Sequence, residues 1–143
     1  MILLVKVVPY LNFQHSLETL AFYEKLGATD IQIVKASDPS FTNSPMAGEA
    51  NPDFVMNAQF NMLGERIDCS DTWGNMPIDM SGQNISIVFD LNNEDEVNAV
   101  KELEAKAKEL GCTITLPLGK TEWTELFGMF DDPFGVSWLL NGE

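Results

Sequence analysis

His15 is the one histidine of the chain, and Gln14-His15-Ser16 reads as a turn ahead of a helix start. An imidazole there is expected to be solvated rather than to move protons. With no second histidine, a Ser–His or Cys–His nucleophile would have to use His15, whose expected position is away from any cleft. Cys69 and Cys112 fall in different predicted strands, with neither a Cys-x-x-Cys spacing nor a histidine beside them. They read as reduced, buried small hydrophobes of a cytosolic protein. No glycine-rich loop of the phosphate-cradling kind occurs, Leu63-Gly64-Glu65 being a plain hairpin turn. A group of rings and acids remains. Tyr10, Phe127, Phe130 and Trp138 lie on predicted strands, where alternate positions divide between core and open face. Trp73 and Trp123 lie on predicted loops at the expected mouth of a cleft, where a bulky ring is placed to meet a ligand. Asp68, Asp71, Glu122 and Glu125 stand near them in sequence. Such carboxylates receive a cation, act as a base, or form a solvated rim.

These residues need a scaffold, and composition says what kind. Of 143 residues, 45% are hydrophobic and 21% charged, enough for one domain with a sizeable core and incompatible with wholesale disorder. Eight Lys and Arg stand against 22 Asp and Glu, a formal net charge of −14 at pH 7. So negative a surface repels phosphate backbones and anionic lipid, which argues against nucleic acid and membrane partners. It favours cationic or neutral ligands, and it also serves solubility. No apolar run reaches the ~20 residues of a membrane span. The start, Met1-Ile2-Leu3-Leu4-Val5-Lys6, lacks the basic lead and the small-residue cleavage site of a secretory signal. A cytoplasmic location is expected.

Residues 2–13 are rich in β-formers and read as a strand with an edge or bulge at Pro9. Ser16 is expected to cap a helix. Leu17, Leu20, Ala21 and the Phe22/Leu26 pair follow helical spacing, and Gly27 stands where a left-handed C-cap belongs. A strand over 31–36 follows, then a long loop over 37–53. Strands over 54–62 and 66–70 are joined at Leu63-Gly64-Glu65, and 71–83 reads as the joint between halves. The order then starts again, with a strand over 84–91. Asn93 opens a helix with Val97, Val100, Leu103, Ala107 and Leu110 as its apolar stripe and Gly111 as its C-cap. Glu102–Lys106 and Glu104–Lys108 are spaced as helical ion pairs. Strands over 113–116, 126–130 and 136–140 close the chain. The order is β-α-β-β-β twice, with module 1 over about 1–73 and module 2 over about 84–143 of a single 1–143 domain. Halves this small do not bury their sheets alone. The expected class is α+β, two βαβββ modules forming a cupped mixed sheet around a cleft.

Leu116-Pro117-Leu118, Thr121, Trp123, Phe127-Gly128-Met129-Phe130, Asp132 and Phe134-Gly135-Val136-Ser137-Trp138 resemble the closing motif of the PhnB-like branch of the vicinal oxygen chelate superfamily. This is the group of glyoxalase, bleomycin-resistance and ring-cleaving dioxygenase folds. Pro9-Tyr10-Leu11-Asn12-Phe13 followed by Ala21-Phe22-Tyr23 resembles the opening of the same branch. The resemblance implies a glyoxalase-like fold, a homodimer and a ligand pocket in each cupped sheet. For metal-dependent members it implies a His/Gln/Glu set on the first and last strands of each module. Such a set holds a divalent ion that polarises vicinal oxygens as a Lewis acid. Carried onto this chain, the four positions fall on Val8, Asp68, Asn84 and Leu139. One carboxylate and one amide do not hold a transition metal firmly. Three further positions of the branch, a His, a Glu and an Arg, fall on Asn57, Lys120 and Leu126.

The resulting expectation is a glyoxalase-like small-molecule binding protein without the usual metal site and without a cofactor. It would sequester a cationic or aromatic compound, in a pocket formed from Tyr10, Asp68, Trp73, Asn84, Trp123, Phe127 and Leu139. The alternative is a divalent-metal-dependent lyase, isomerase or dioxygenase with a rearranged ligand set, for example Asp68 with Glu122 or Glu125. The homodimer follows from the resemblance and from the sheet edges that a lone paired module leaves open.

Overall fold

Tight turns, helix caps and strand alternation build one kind of unit twice. The structure is a computed structural model that describes residues 2–39 and 51–143. The first run of elements is β1 Tyr10–Phe13, α1 Ser16–Leu26, β2 Thr29–Lys35, β3 Val55–Met62 and β4 Glu65–Asp71. The second is β5 Asn84–Phe89, α2 Glu94–Glu109, β6 Thr113–Gly119, β7 Phe127–Asp131 and β8 Ser137–Gly142. The strands form two four-stranded sheets, ordered β1-β4-β3-β2 and β5-β8-β7-β6. In each sheet the first strand runs parallel to the last, and the other neighbours are antiparallel. The chain divides into two compact units, Met1–Glu24 with Ala28–Ile78 and Lys25–Gly27 with Asp79–Glu143. The fold is α+β, built of two βαβββ modules. Among the described residues no helix is long and apolar enough to cross a membrane.

In the first unit, Leu63 (φ 50°) and Gly64 (φ 84°) are both left-handed. They form the two-residue hairpin turn whose twist suits its strands, and the pairing Met62↔Glu65 closes directly on it. Glu65 therefore belongs to β4 rather than to the turn. Leu11, Ala58, Phe60, Ile67 and Cys69 share rungs on one face and are buried. Tyr23 of α1 lies on that face, 6.2 Å from Phe13 and 5.4 Å from Phe60 between ring centroids. The buried stripe of α1 is Ser16, Thr19, Leu20, Tyr23 and Leu26, rotated from the expected one, so that Ala21 is exposed. Nor does the Ser16 side chain cap the helix, its Oγ being buried without a hydrogen-bond partner. The Asp71 carboxylate accepts instead from the Ser16 N–H at 2.7 Å and from the Val55 N–H at 2.8 Å. A full charge at the helix N-terminus is favoured there by the helix dipole.

β1 is shorter than its run of β-formers, because Pro9 has no N–H to extend the ladder. The last bond of the pair runs from the Asp68 N–H to the Pro9 carbonyl at 3.0 Å. Ahead of it, Ile2, Leu3, Leu4, Val5 and Val7 are 72–100% exposed. The expected loop over 37–53 falls largely on 40–50, outside the described residues.

In the second unit, the Asn93 side chain accepts from the N–H groups of Asp95 and Glu96 at 3.1 and 3.3 Å, as an N-cap should. Val100, Leu103 and Ala107 are the fully buried stripe of α2, with Val97 and Leu110 half-buried. The Glu102–Lys106 pair forms at 3.2 Å. Glu104 does not turn to Lys108, because its Oε2 accepts the Leu118 N–H at 2.6 Å. That bond ties α2 to β6, which runs through Pro117 to Gly119 as an irregular edge strand. Cys112 sits just ahead of β6 and is buried. Phe130, Trp138 and Leu140 are fully buried on one face, and Phe130 stacks on Trp138 at 6.2 Å. Both helices end alike at left-handed glycines, Gly27 (φ 125°) and Gly111 (φ 87°). Just beyond them the Ala28 N–H reaches the Tyr23 carbonyl at 2.8 Å and the Cys112 N–H reaches Ala107 at 2.9 Å.

Candidate functional site

Paired residues on neighbouring strands share a face of the sheet, so register identifies what each unit presents on the side away from its core. In the first unit a single row crosses all four strands, Tyr10↔Asp68↔Gln59↔Gln32. On either side of it lie Asn12 paired with Ser70 and Arg66 paired with Asn61. Gln59 Nε2 donates to Gln32 Oε1, Asn61 Nδ2 to Asp30 Oδ2 and Ser70 Oγ to Asn12 Oδ1, each at 3.1 Å. Arg66 Nε and Nη2 donate to the two oxygens of Asp68 at 2.8 and 2.9 Å. This bond to Asp68 raises the Arg66 guanidinium above its ordinary value. Asp68 is buried at 8% exposure, while Tyr10 beside it is 50% exposed.

Trp73 does not join this row. It lies in a short turn, Trp73–Asn75, and stacks on Phe54 at 4.9 Å. Each oxygen of Asp71 accepts one of the two backbone N–H groups described above. His15 is exposed.

The corresponding row of the second unit is Ser86↔Leu139↔Met129↔Leu116. Asn84 pairs with Ser137 on one side of it, and Val88, Asn141 and Phe127 share a rung on the other. Trp123 meets this face at Phe127, edge-on with centroids 5.3 Å apart. Phe127 is 8% exposed and Trp123 66% exposed. The Trp123 loop is tied down locally. The Thr121 N–H donates to the Thr124 carbonyl at 2.9 Å, the Thr124 N–H donates to Thr121 Oγ1 at 3.2 Å, and the Thr124 hydroxyl donates to the Gly142 carbonyl. Glu125 pairs loosely with Lys120 at 3.7 Å and Glu122 is exposed. Asn141 Oδ1, on the Phe127 rung, is buried without a hydrogen-bond partner.

Asn84, Trp123, Phe127 and Leu139 thus belong to one face, and Tyr10 and Asp68 to another. Gln32, Gln59, Arg66 and Met129 were not among the expected residues. The alternation Asn57-x-Gln59-x-Asn61 is a signal that could have found the polar face, since every second residue of a strand points the same way.

The four positions implied for a divalent ion do not fit one. Val8 and Leu139 carry no donor, Asp68 is held at both oxygens by Arg66, and the Asn84 amide donates to the Gly82 carbonyl at 3.4 Å. Among the described residues no three His, Cys, Asp or Glu side chains group closely enough to hold a metal. Neither cysteine is an activated nucleophile. Burial pushes the Cys69 thiol up to about 12. Burial pushes Cys112 up to about 11, and the Asp132 charge adds to the effect.

Residues 14–140 match the family described as the Glyoxalase/Bleomycin resistance protein/Dioxygenase superfamily. Among solved structures, protein PA1353 from Pseudomonas aeruginosa is 27% identical, with 97% of this chain and 98% of that chain covered and a TM-score of 0.64. A PhnB protein from Bacillus cereus is 23% identical over 97% of this chain and 100% of that one, with a TM-score of 0.61. A bleomycin-binding protein in complex with bleomycin is 17% identical over 97% and 98%, with a TM-score of 0.58. The last two likenesses are of fold. No curated protein matches.

Proposed function

Because the chain belongs to the glyoxalase, bleomycin-resistance and dioxygenase superfamily, we propose that it is a small-molecule binding protein that sequesters a cationic or aromatic compound. The observation that carries this reading is Trp123, 66% exposed yet seated edge-on against Phe127. A mobile surface ring would serve nothing in the core, whereas a ring held by a tied loop over an apolar face is preorganised to stack on a flat ligand. Leu116, Met129 and Leu139 supply apolar contact beside it. The net charge of −14 draws cations toward the molecule, and a cation over the indole gains about 0.5–2 kcal/mol. That one similar fold is a bleomycin-binding protein is in keeping with such a role. The protein acts in the cytoplasm as a homodimer in this reading.

Titration of the intrinsic tryptophan fluorescence with cationic aromatics, beside anionic thioesters, tests the proposal. The cations are expected to bind more tightly. A preference for the anions would overturn it, and so would a stoichiometric divalent ion that survives dialysis of the purified protein. Light scattering at micromolar concentration tests the dimer, which a monomeric mass would refute.

A further inference from the structure

We propose that Asn141 sets the specificity of the Trp123 face by accepting a hydrogen bond from the ligand. The ligand is then a flat aromatic cation that carries an N–H group, and not a quaternary or N-alkylated one. The assignment rests on that face binding a cationic aromatic and specifies which kind.

Asn141 stands between Val88 and Phe127 on one rung of the second unit's sheet. Its Oδ1 is buried and has no hydrogen-bond partner, one of two such side-chain atoms among the described residues. The other, Ser16 Oγ, belongs to the buried stripe of α1, whereas Asn141 shares the face that carries Phe127 and Trp123. The neighbouring groups do not supply the missing donor. Val88 and Phe127 offer only hydrocarbon across the rung. The Thr124 hydroxyl donates to the Gly142 carbonyl, and the Gly142 N–H donates to the Leu126 carbonyl at 3.0 Å. Buried polar atoms are paired in the great majority of cases, and an unpaired one destabilises the fold where a hydrocarbon of the same shape would not. The chain thus keeps, beside its preorganised ring, an acceptor that its own fold does not use.

Position joins the carboxamide to the ring. Residues directly paired across strands hold their Cβ atoms about 5 Å apart, and the Trp123 centroid is 5.3 Å from that of Phe127. A planar ligand of two or three fused rings resting on the indole therefore brings its edge to Oδ1. A carbonyl oxygen accepts and does not donate, so the group at that edge must be a donor. An N–H on a delocalised cation is a strong one, and the net charge of −14 favours the cation. Because Oδ1 is already out of water in the free protein, the bond forms without stripping a hydration shell from the acceptor. An ether or carboxylate oxygen at the same edge would meet a carbonyl oxygen of like partial charge.

Calorimetry on the full chain would compare 9-aminoacridine with 10-methylacridinium, two tricyclic monocations at pH 7 of which only the first carries N–H groups. The first is expected to bind on the order of tenfold more tightly. Asn141→Leu should bring its affinity down to about that of the methylated ion and leave the latter's unchanged. The melting temperature of this variant should hold or rise, since hydrocarbon replaces an unpaired acceptor. A fall in melting temperature with equal loss of affinity for both ions would make Asn141 a structural residue and overturn the proposal. Equal affinity of the native chain for the two ions, each weakened by Trp123→Ala, would overturn it and leave the role of Trp123 standing. Binding of neither ion would overturn both.

Discussion

On equivalent strands, the open face of the first unit carries Asp68, Gln59 and Gln32 where that of the second carries Leu139, Met129 and Leu116. The opposite faces do not diverge in this way. Phe60, Ile67 and Cys69 in one unit and Phe130, Trp138 and Leu140 in the other are all buried and apolar. A helix-covered face must stay apolar, because hydrophobic burial is what holds helix to sheet. The open face has no such obligation. One βαβββ plan can therefore present a hydrogen-bonding surface in one copy and an apolar, ring-bearing surface in the other, through changes at every second strand position.

The largest expected effects test whether the two faces of each sheet differ as described. Phe60→Ala and Trp138→Ala each delete a large, fully buried ring and should each cost about 3–5 kcal/mol in urea denaturation. Gln59→Ala and Met129→Ala on the open faces should cost less than about 1 kcal/mol. If Met129→Ala proved as damaging as Trp138→Ala, the second unit's open face would be core and not a binding surface.

The next effect separates acids that hold the fold from acids available to a ligand. Asp132 accepts from the N–H groups of Phe134 and Val136 at 2.9 and 3.1 Å and from the Trp138 indole N–H at 3.0 Å. Asp71 accepts from two backbone N–H groups. Hydrogen bonds to a charged group are worth about 1.5–3 kcal/mol, so Asp132→Asn and Asp71→Asn should both lower the urea midpoint. Glu122→Gln, on an exposed side chain, should not. Equal sensitivity of all three would mean that these bonds to Asp71 and Asp132 contribute little.

Much of this is legible in the amino-acid sequence. The recurrence of a strand, a helix ended by Leu-Gly, and three more strands follows from alternation and cap chemistry, which are local. What was not legible depended on partners distant in sequence. Asp71 displaced Ser16 as the helix cap because β4 delivers its carboxylate to the N-terminus of α1. Glu104 abandoned Lys108 for the Leu118 N–H of a bulged strand. Trp73 and Trp123 look alike as loop tryptophans, and only their partners distinguish them, the first stacking on Phe54 and the second meeting Phe127 edge-on. The polar face was half-visible, as Asn57, Gln59 and Asn61 on one strand. Its meaning needed the register that sets Asp68 and Gln32 on the same row.

The two tryptophans give a smaller and more pointed test. Trp123→Ala should lower affinity for a cationic aromatic by about tenfold, the upper part of the cation–π range, and should also lower the melting temperature slightly through its lost edge contact with Phe127. Trp73→Ala should affect stability alone. Losing its stack on Phe54, an interaction of about 0.5–1.5 kcal/mol, should lower stability and leave affinity intact. Fluorescence titration beside thermal melting of both variants decides it. Equal loss of affinity in both would place Trp73 in the ligand site and dissolve the contrast between the loops.

The smallest effect contrasts the units through their thiols. Burial holds Cys69 up at about 12 and Cys112 at about 11, against an ordinary value of 9.0. In each case the folded state favours the neutral thiol, so its contribution to stability is fully present below pH 9. It is lost as the pH rises toward the folded value, because the unfolded chain ionises first. For Cys69 the loss reaches on the order of 1 kcal/mol by pH 10, with a lesser share from Cys112. Urea midpoints at pH 8 and pH 10 should therefore fall for the native chain and fall less for Cys69→Ala, whose side chain does not titrate. If the Cys69→Ala variant lost as much stability over this interval as the native chain, the Cys69 thiol would be ionising within the folded sheet. The core face on which Ala58 and Leu11 flank it would then be open to water, and the division between covered and open faces would fail in the first unit.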